Sequence, residues 1–466
     1  MSDTISTPGE LRGRLTGELL LPEDEGYEEA RKIWNAMHDR RPAMIVRPRA
    51  TDDVVVALAF AREHNLSIAI RGGGHSVAGY GTVDGGLLID NSLMRGVEVD
   101  PERRIVRVEP GATLADVDRA TQEHGLAVPI GVVSATGIAG LTLGGGVGWL
   151  TRPYGLTADN LVAAEVVAAN GSVVRASEVE EPDLFWALRG GGGNFGVVVA
   201  FEFRAYPLGP SAHGGNLIVS RPKWADALRA FRDWTADLPD QMNGIVTFMT
   251  PPPSWELGGE TLMIIGFAWA GQDRDEMLRV AAPLRETVQA DAELLDPVTW
   301  VEWQSAADEL FPKGVRAYWK NVALDRLEDD AIEELVRAVD AMAPRKVGID
   351  VHHMGGAFAR VPEDATPFPN RSATYWVNCY GVWEGPDGDL AGRNWARAAH
   401  ASLLPFAAAG EYVNFLGTAP GEDDPAAAAL TSYGEAKLAR LRAVKARWDP
   451  ENRFRLNHNI EPAAAS

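Results

Sequence analysis

The sequence predicts an α+β protein of two domains, and three observations carry that prediction. Its 466 residues exceed what one ordinary hydrophobic core organises. A strand–helix–strand unit lies near the start, with Met44-Ile45-Val46 and Leu66–Ile70 as strands around a helix opened by Thr51-Asp52-Asp53. After Pro210 the dense glycine clusters stop, and amphipathic helices interleave with strands, the pattern of a largely antiparallel sheet covered by helices.

Composition narrows the class. The formal net charge of −21 and pI near 4.9 oppose nucleic acid or an anionic membrane as a partner, because phosphates are repelled. No apolar run approaches transmembrane length. The stretch Met1–Ser6 lacks the basic and apolar regions of a signal peptide, so a cytoplasmic protein is expected. One cysteine, Cys379, excludes an intramolecular disulfide and a cysteine-cluster metal site.

Taken in order, Tyr27–His38 carries apolar residues at helical spacing. Thr51 offers a cap, Asp52 and Asp53 favour the positive helix end, and the helix stops near Asn65. Gly96–Val99 and Ile105–Val108 read as a hairpin, and Thr113 with Asp116 as a capping pair whose helix ends at Gly125. Asn170-Gly171 predicts a second hairpin. Beyond Pro210, helices are expected over Lys223–Leu238, Arg274–Val288 and Glu328–Met342. Strands are expected over Gly244–Thr250, Thr261–Ala270, Val347–Val361 and Thr374–Trp383. Ten of the fourteen tryptophans fall between Trp224 and Trp395, enough to line an aromatic cleft if they are not all core. A last helix runs to Trp448, and Asn457 and Asn459 follow two apart in an extended segment.

Arg71-Gly72-Gly73-Gly74-His75-Ser76 begins where the second strand of the β-α-β unit ends, the place where ligands of such units gather. Three glycines let the backbone approach another group, and successive N–H groups can converge on an anion. Arg71 adds charge, Ser76 a hydroxyl, and His75 a nucleophilic imidazole. This suggests a nucleotide cofactor, held by a bond or not; the other reading is a glycine-rich surface turn. Residues 131–148 hold seven glycines in eighteen, which suits backbone approach to a flat or anionic ligand or backbone packing on backbone. They do not form the strand–GxGxxG–helix fingerprint of a dinucleotide fold. Arg189–Gly196 is a third cluster.

Four stretches in order, Arg71–Ser76, Gly144-Gly145-Gly146-Val147-Gly148, Asp183–Gly196 and Phe454–Ile460, resemble the berberine bridge enzyme-like FAD-linked oxidoreductases of the vanillyl-alcohol oxidase/para-cresol methylhydroxylase superfamily. The resemblance spans about Pro42 to Ile460. It implies a PCMH-type FAD-binding domain of two α+β subdomains (residues 1–210) and an inserted substrate domain (211–415). A C-terminal segment, 416–466, returns to the first domain. It implies FAD attached through His75. Relatives often add a bond from a cysteine, but the matching position is Val133, and Gly140-Leu141 stands where many have Gly-His.

The implied cofactor-binding set is Arg71, Gly72, Gly73, Gly74, His75, Ser76, Gly79, Val132, Val133, Ser134, Gly137, Gly140, Leu141, Gly144, Gly145, Gly146, Gly148, Asp159, Asn160, Gly196, Val197, Tyr412, Asn414, Asn457 and Asn459. The implied catalytic set is Tyr412, Tyr375 and Asn378, and Phe415 replaces the family's second tyrosine; a phenol works as a base only beside positive charge, for which Lys320 in the Tyr318-Trp319-Lys320 run is the candidate. Tyrosine in an apolar strand also serves as core. His352-His353 point to opposite strand faces and do not pair on a metal. The expected activity is oxidation of a small molecule (a sugar, alcohol or secondary metabolite) with molecular oxygen as acceptor. A dehydrogenase with another acceptor and a silent flavin binder are the alternatives.

Overall fold

The structure, a computed structural model, describes residues 5–295, 297–341, 347–418 and 425–464. Its first sheet sets Glu18–Leu20, Met44–Arg47, Leu87–Asp90 and Ile68–Arg71 side by side in that order, the last three parallel. The expected β-α-β unit is therefore present, with Leu87–Asp90 inserted between its two strands. Its helix, Thr51–Glu63, is capped at Ala50 rather than Thr51. The Asp53 carboxylate accepts from the N–H groups of Arg49 (2.8 Å) and Thr16 (2.7 Å), so it satisfies orphan donors and fastens the N-terminal segment. Asn65 ends the helix at φ 50°.

The second sheet orders Val97–Asp100, Ile105–Val108, Val197–Arg204, Leu161–Val167 and Val173–Ser177, all antiparallel. Both expected hairpins are in it. Thr113 and Asp116 form the capping box of Leu114–Gln122.

The third sheet orders Ala292–Leu294, Ser211–Val219, Leu262–Trp269, Met242–Met249, Val347–His353, Tyr375–Trp383 and Arg316–Leu324, again antiparallel; Val298–Thr299 pairs with the start of Ser211–Val219. Side chains alternate between its faces. One face, with Phe248, Phe267, Ile349 and Val377, packs on the helices Trp224–Thr235, Arg274–Val288, Asp329–Asp340 and Asp389–Leu403 through Phe231, Leu284, Leu335 and Trp395. The other face looks back towards the first two sheets. That division decides which residues can meet a ligand.

Two expectations are corrected. Tyr27–His38 is helical only over Tyr27–Ala30. Beyond that turn the N–H groups of Trp34 and Ala36 donate to Gly74 O (3.0 Å) and Val315 O (2.8 Å), tertiary bonds that replace helical ones, and the Trp34 indole and Asn35 amide add bonds to Phe311 O (2.8 Å) and Val77 O (2.7 Å). The strand expected over Val347–Val361 ends at His353, because Gly355 and Gly356 take positive φ and turn the chain into the short helix Ala357–Arg360. Within residues 131–148, Ile138–Gly144 is helical. The expected helix over Glu328–Met342 is observed from Asp329 to Asp340; Met342 lies outside the described residues.

The C-terminal helix, Pro425–Trp448, breaks at Gly434. Near its end the fully buried Lys445 donates to Asp449 Oδ2 (2.7 Å), Asn194 O (2.7 Å) and Phe454 O (2.9 Å). One ammonium thus ties helix, third glycine cluster and tail. Removing one partner of a buried pair strands the other's charge at a cost of about 3–5 kcal/mol. Lys445→Met is expected to lose about that much unfolding free energy in urea titration followed by tryptophan fluorescence; an unchanged midpoint would refute the anchor.

Candidate functional site

A cleft runs where the three sheets meet, and its floor is backbone. The turn after Ile68–Arg71 lies so close to the second glycine cluster that a Cβ on Gly73 would sit 2.5 Å from Gly137 Cα. A Cβ on Gly72 would come 2.8 Å from Pro110 O. No larger residue fits at Gly72 or Gly73 without moving backbone, so at this turn the glycines serve backbone packing on backbone, the second of the two readings of the pattern.

His75 sits at the lip of that floor. Its ring stacks on Trp34, centroids 4.3 Å apart and planes 18° apart. Burial holds its pKa down at about 4, so the imidazole is neutral, and buried Nε2 has no partner among the described residues. A desolvated neutral imidazole with an unused ring nitrogen is a nucleophile. Arg71 lines the cleft, but its guanidinium donates to Lys32 O (2.9 Å) and Ala30 O (2.5 Å) and pairs with Asp90 (3.5 Å), so it pins the N-terminal segment.

The 412–415 turn closes one side. Tyr412 Oη accepts from Gly146 N–H (2.9 Å) and from the Asn414 amide (3.0 Å), which also donates to Leu141 O (3.2 Å). These bonds set the second glycine cluster against the sheet. From the tail, Asn457 donates to Gly193 O (3.2 Å), and its buried Oδ1 has no partner among the described residues. Asn91, absent from the sequence reading, donates to Arg71 O (3.0 Å) and likewise keeps a buried, unpartnered Oδ1 at the cleft.

The third sheet supplies the opposite wall. Asn321, Asn378, Asp350 and Thr247 are successive register partners, so they form one polar row on the inward face. Asp350 is the residue that sequence reasoning missed. Burial raises its pKa to about 7, against hydrogen bonds from Thr247 and from Tyr380 Oη (3.2 Å). His352, two residues on, shares the face; burial holds it neutral, with a pKa of about 4. A carboxyl poised near neutrality in a cleft is suited to proton transfer.

The expected catalytic set is divided by the same alternation. Asn378 and Tyr412 line the cleft, whereas Tyr375 and Lys320 do not. Tyr375 lies on the helix-covered face, hydrogen-bonded to Thr235 Oγ1 (2.7 Å), and burial raises its pKa. Lys320 lies over the Tyr318 ring on that same face. Burial pushes Tyr412 up to about 12, the wrong direction for a base. His352 and His353 do point to opposite faces, the latter towards Arg152 and Tyr375.

Of the expected cofactor set, Gly74, Ser76, Val132, Val133, Gly140, Gly144 and Gly196 also line the cleft, with Gly72, Gly73, Gly137 and Leu141. Nine residues lie outside the lining, and most have structural partners instead. Gly79 makes room for the His38 ring, Gly145 for Phe368, and Gly146 for Thr157. Ser134 N–H donates to Asp308 Oδ1 (2.7 Å), and Gly148 N–H to Thr151 Oγ1 (2.9 Å). Asp159 takes a bidentate pair from Arg371, both bonds 2.7 Å, and Asn160 Oδ1 accepts from Tyr206 (2.8 Å). Val197 is buried in the core beneath the first sheet, and Asn459 is set back from the cleft.

A side-chain-free floor, unpartnered amide oxygens at Asn91 and Asn457, and a free imidazole nitrogen at His75 fit a large flat nucleotide bearing an electrophilic carbon. The fold and cleft define an FAD-linked oxidoreductase. Residues 42–177 match the FAD binding domain family and residues 412–461 the berberine and berberine-like family. Among curated proteins, (R)-6-hydroxynicotine oxidase from Paenarthrobacter nicotinovorans is 30% identical over 99% of each chain. The chain belongs to the berberine bridge enzyme-like FAD-linked oxidoreductases. The crystal structure of 6-hydroxy-D-nicotine oxidase from Arthrobacter nicotinovorans superposes with a TM-score of 0.87 at 28% identity, covering 99% of this chain and 100% of that one. A glucooligosaccharide oxidase from Acremonium strictum, studied for its 6-S-cysteinyl, 8α-N1-histidyl FAD, superposes at 0.85 with 26% identity over 96% and 98% of the two chains.

Removing the Tyr412 hydroxyl leaves Gly146 N–H without its acceptor. Tyr412→Phe is expected to cost about 1–3 kcal/mol of stability by thermal or urea unfolding, while slowing flavin reduction less than about tenfold. A loss of the general-base size, about 10²-fold or more, would return this phenol to the role of proton acceptor.

Proposed function

We propose that the protein oxidises a small molecule at a carbon bearing a hydroxyl or amine, with FAD attached through His75 alone, Asp350 receiving the substrate proton and molecular oxygen as final acceptor. The observation that carries this reading is the pairing, across one cleft, of a half-buried neutral imidazole with a half-buried carboxyl titrating near 7. FAD, when bound, supplies the two-electron acceptor that the side chains lack. His75, held flat by Trp34, is the group to carry it. Val133 sits among Val77, Phe311, Trp319 and Tyr380, an apolar cluster that offers no sulfur for a second bond. The glucooligosaccharide oxidase was studied for a cysteinyl and a histidyl attachment, and this reading keeps the histidyl one alone.

Asp350 reaches the same cleft from the sheet and is oriented by Tyr380 and Thr247. As a carboxylate it accepts a proton; as an acid it does not. Flavin reduction should therefore rise as pH increases through about 7 and level off above it. Neutral His352 and Asn378 flank it and can orient the substrate's polar group.

Two experiments test the reading. Acid precipitation should leave the yellow colour with wild-type protein and release it from His75→Ala. Free flavin from the wild type would overturn the covalent bond, and a peptide bearing two attachments would overturn the single one. Anaerobic stopped-flow reduction should fall about 10²–10⁴-fold in Asp350→Asn, with the rise through pH 7 abolished. An unchanged profile would remove Asp350 as acceptor. Hydrogen peroxide at one equivalent per turnover is expected in air, and its absence would point to a dehydrogenase.

A further inference from the structure

We infer that the substrate is a compact, largely apolar ring compound with one hydroxyl or amine, and not a carbohydrate. The inference rests on the reading that the space beside Asp350 is the substrate site. That space is a recess of about 380 Å³ that opens off the cleft and shares Val132, Phe311, Asp350 and His352 with it. The volume is near the small end of ligand pockets, roughly 300–1,000 Å³.

Its chemistry is uneven. The polar row reaches Asp350 and Thr247 and then stops, because the next register partners are Ile264 and Ile218. Met249 and Leu294 extend the apolar surface. Thr247 and Tyr380 are already committed to Asp350.

The aromatic side of the recess is built into the sheet. A Cβ at Gly266 would come 2.9 Å from the Trp149 ring, and one at Gly214 would come 3.0 Å from the Trp303 ring. Two neighbouring strands thus omit side chains where two indoles, 5.2 Å apart, lie against them. Trp255, on the loop between Met242–Met249 and Leu262–Trp269, forms the outer wall, its indole donating to Glu309 Oε2 (3.2 Å). Ser254 bonds the same carboxylate, so hairpin and Asp308–Leu310 turn are joined over the recess.

A ring compound buries its apolar faces against these indoles and aliphatic side chains and presents its single polar group to Asp350 and His352. A sugar carries a hydroxyl on nearly every carbon. Asn216 and the unpartnered Trp303 Nε1 offer little to satisfy them. Each hydroxyl buried without a partner weakens binding by roughly tenfold.

The test is calorimetric titration of the flavin-loaded protein with 1-naphthalenemethanol, 4-methylbenzyl alcohol and 1-phenylethylamine, against cellobiose and xylobiose. The tightest ring compound is expected to bind at least tenfold more tightly than either disaccharide. Ile264→Asn, which places an amide on the apolar row, should weaken that compound about tenfold and leave the disaccharides unchanged or improved. Trp255→Ala, on a surface loop where folding is not at stake, should weaken it severalfold. A disaccharide that binds as tightly as every ring compound overturns the inference, as do variants that leave ring-compound affinity unchanged. Asp350→Asn, run alongside, separates the two claims. Retained ring-compound binding with full flavin reduction removes the proton acceptor but not the substrate class, and disaccharide preference with lost reduction does the reverse.

Discussion

Everything around the cleft depends on two stretches of backbone lying against each other with nothing between them. Gly73 and Gly137 meet at a separation that admits no Cβ, and Gly72 is similarly close to Pro110. Interiors are packed densely enough that a gap cannot simply be widened there. The first sheet therefore docks on the second at the turn that carries His75. The imidazole is half-buried and neutral because that docking keeps most water from it, and Trp34 can lie flat on it because the N-terminal segment is drawn across by Arg71.

Local chemistry was legible in the sequence; long-range parity was not. The glycine clusters, the capping box at Thr113, the hairpins and the helix over Arg274–Val288 follow from residues within a few positions of one another. Asp350 carries no such signal. A lone aspartate in an apolar strand looks like a register blemish until Thr247, Asn378 and Asn321 are seen beside it in neighbouring strands. Tyr375 and Lys320 fail for the complementary reason. Each lies on a strand that does border the cleft, but with the parity that faces the helices. An aspartate within a strand whose next-but-one neighbour is histidine was the one available clue, and only in company with a flavin motif. The strand Arg316–Leu324 and the helix Asp389–Leu403 carried no recognised start signal; the helix follows a Gly-Pro-Asp-Gly turn without a side-chain cap.

Several residues that resemble cofactor ligands in sequence turn out to hold the frame. Asp159 neutralises the buried Arg371, and Tyr412 with Asn414 pins the second glycine cluster. Such residues hold the cleft's shape, and of these three Tyr412 and Asn414 also line it. Motif membership and contact are thus different properties, and the sheet's alternation together with hydrogen-bond partners is what tells them apart.

The Lys445 ammonium has a consequence for the order in which the molecule comes into being. It joins a helix, a glycine cluster some 250 positions earlier and a tail segment after it. The cleft also needs Trp34 at one end of the chain and Asn457 near the other. Contacts of that sequence span form late, after the intervening chain has been laid down. The first two sheets can fold as they emerge during synthesis, but the pocket that would grip a cofactor is unfinished until residues 445–460 have arrived. The cofactor cleft is accordingly a property of the finished chain, complete only when the third sheet and the tail are both in place.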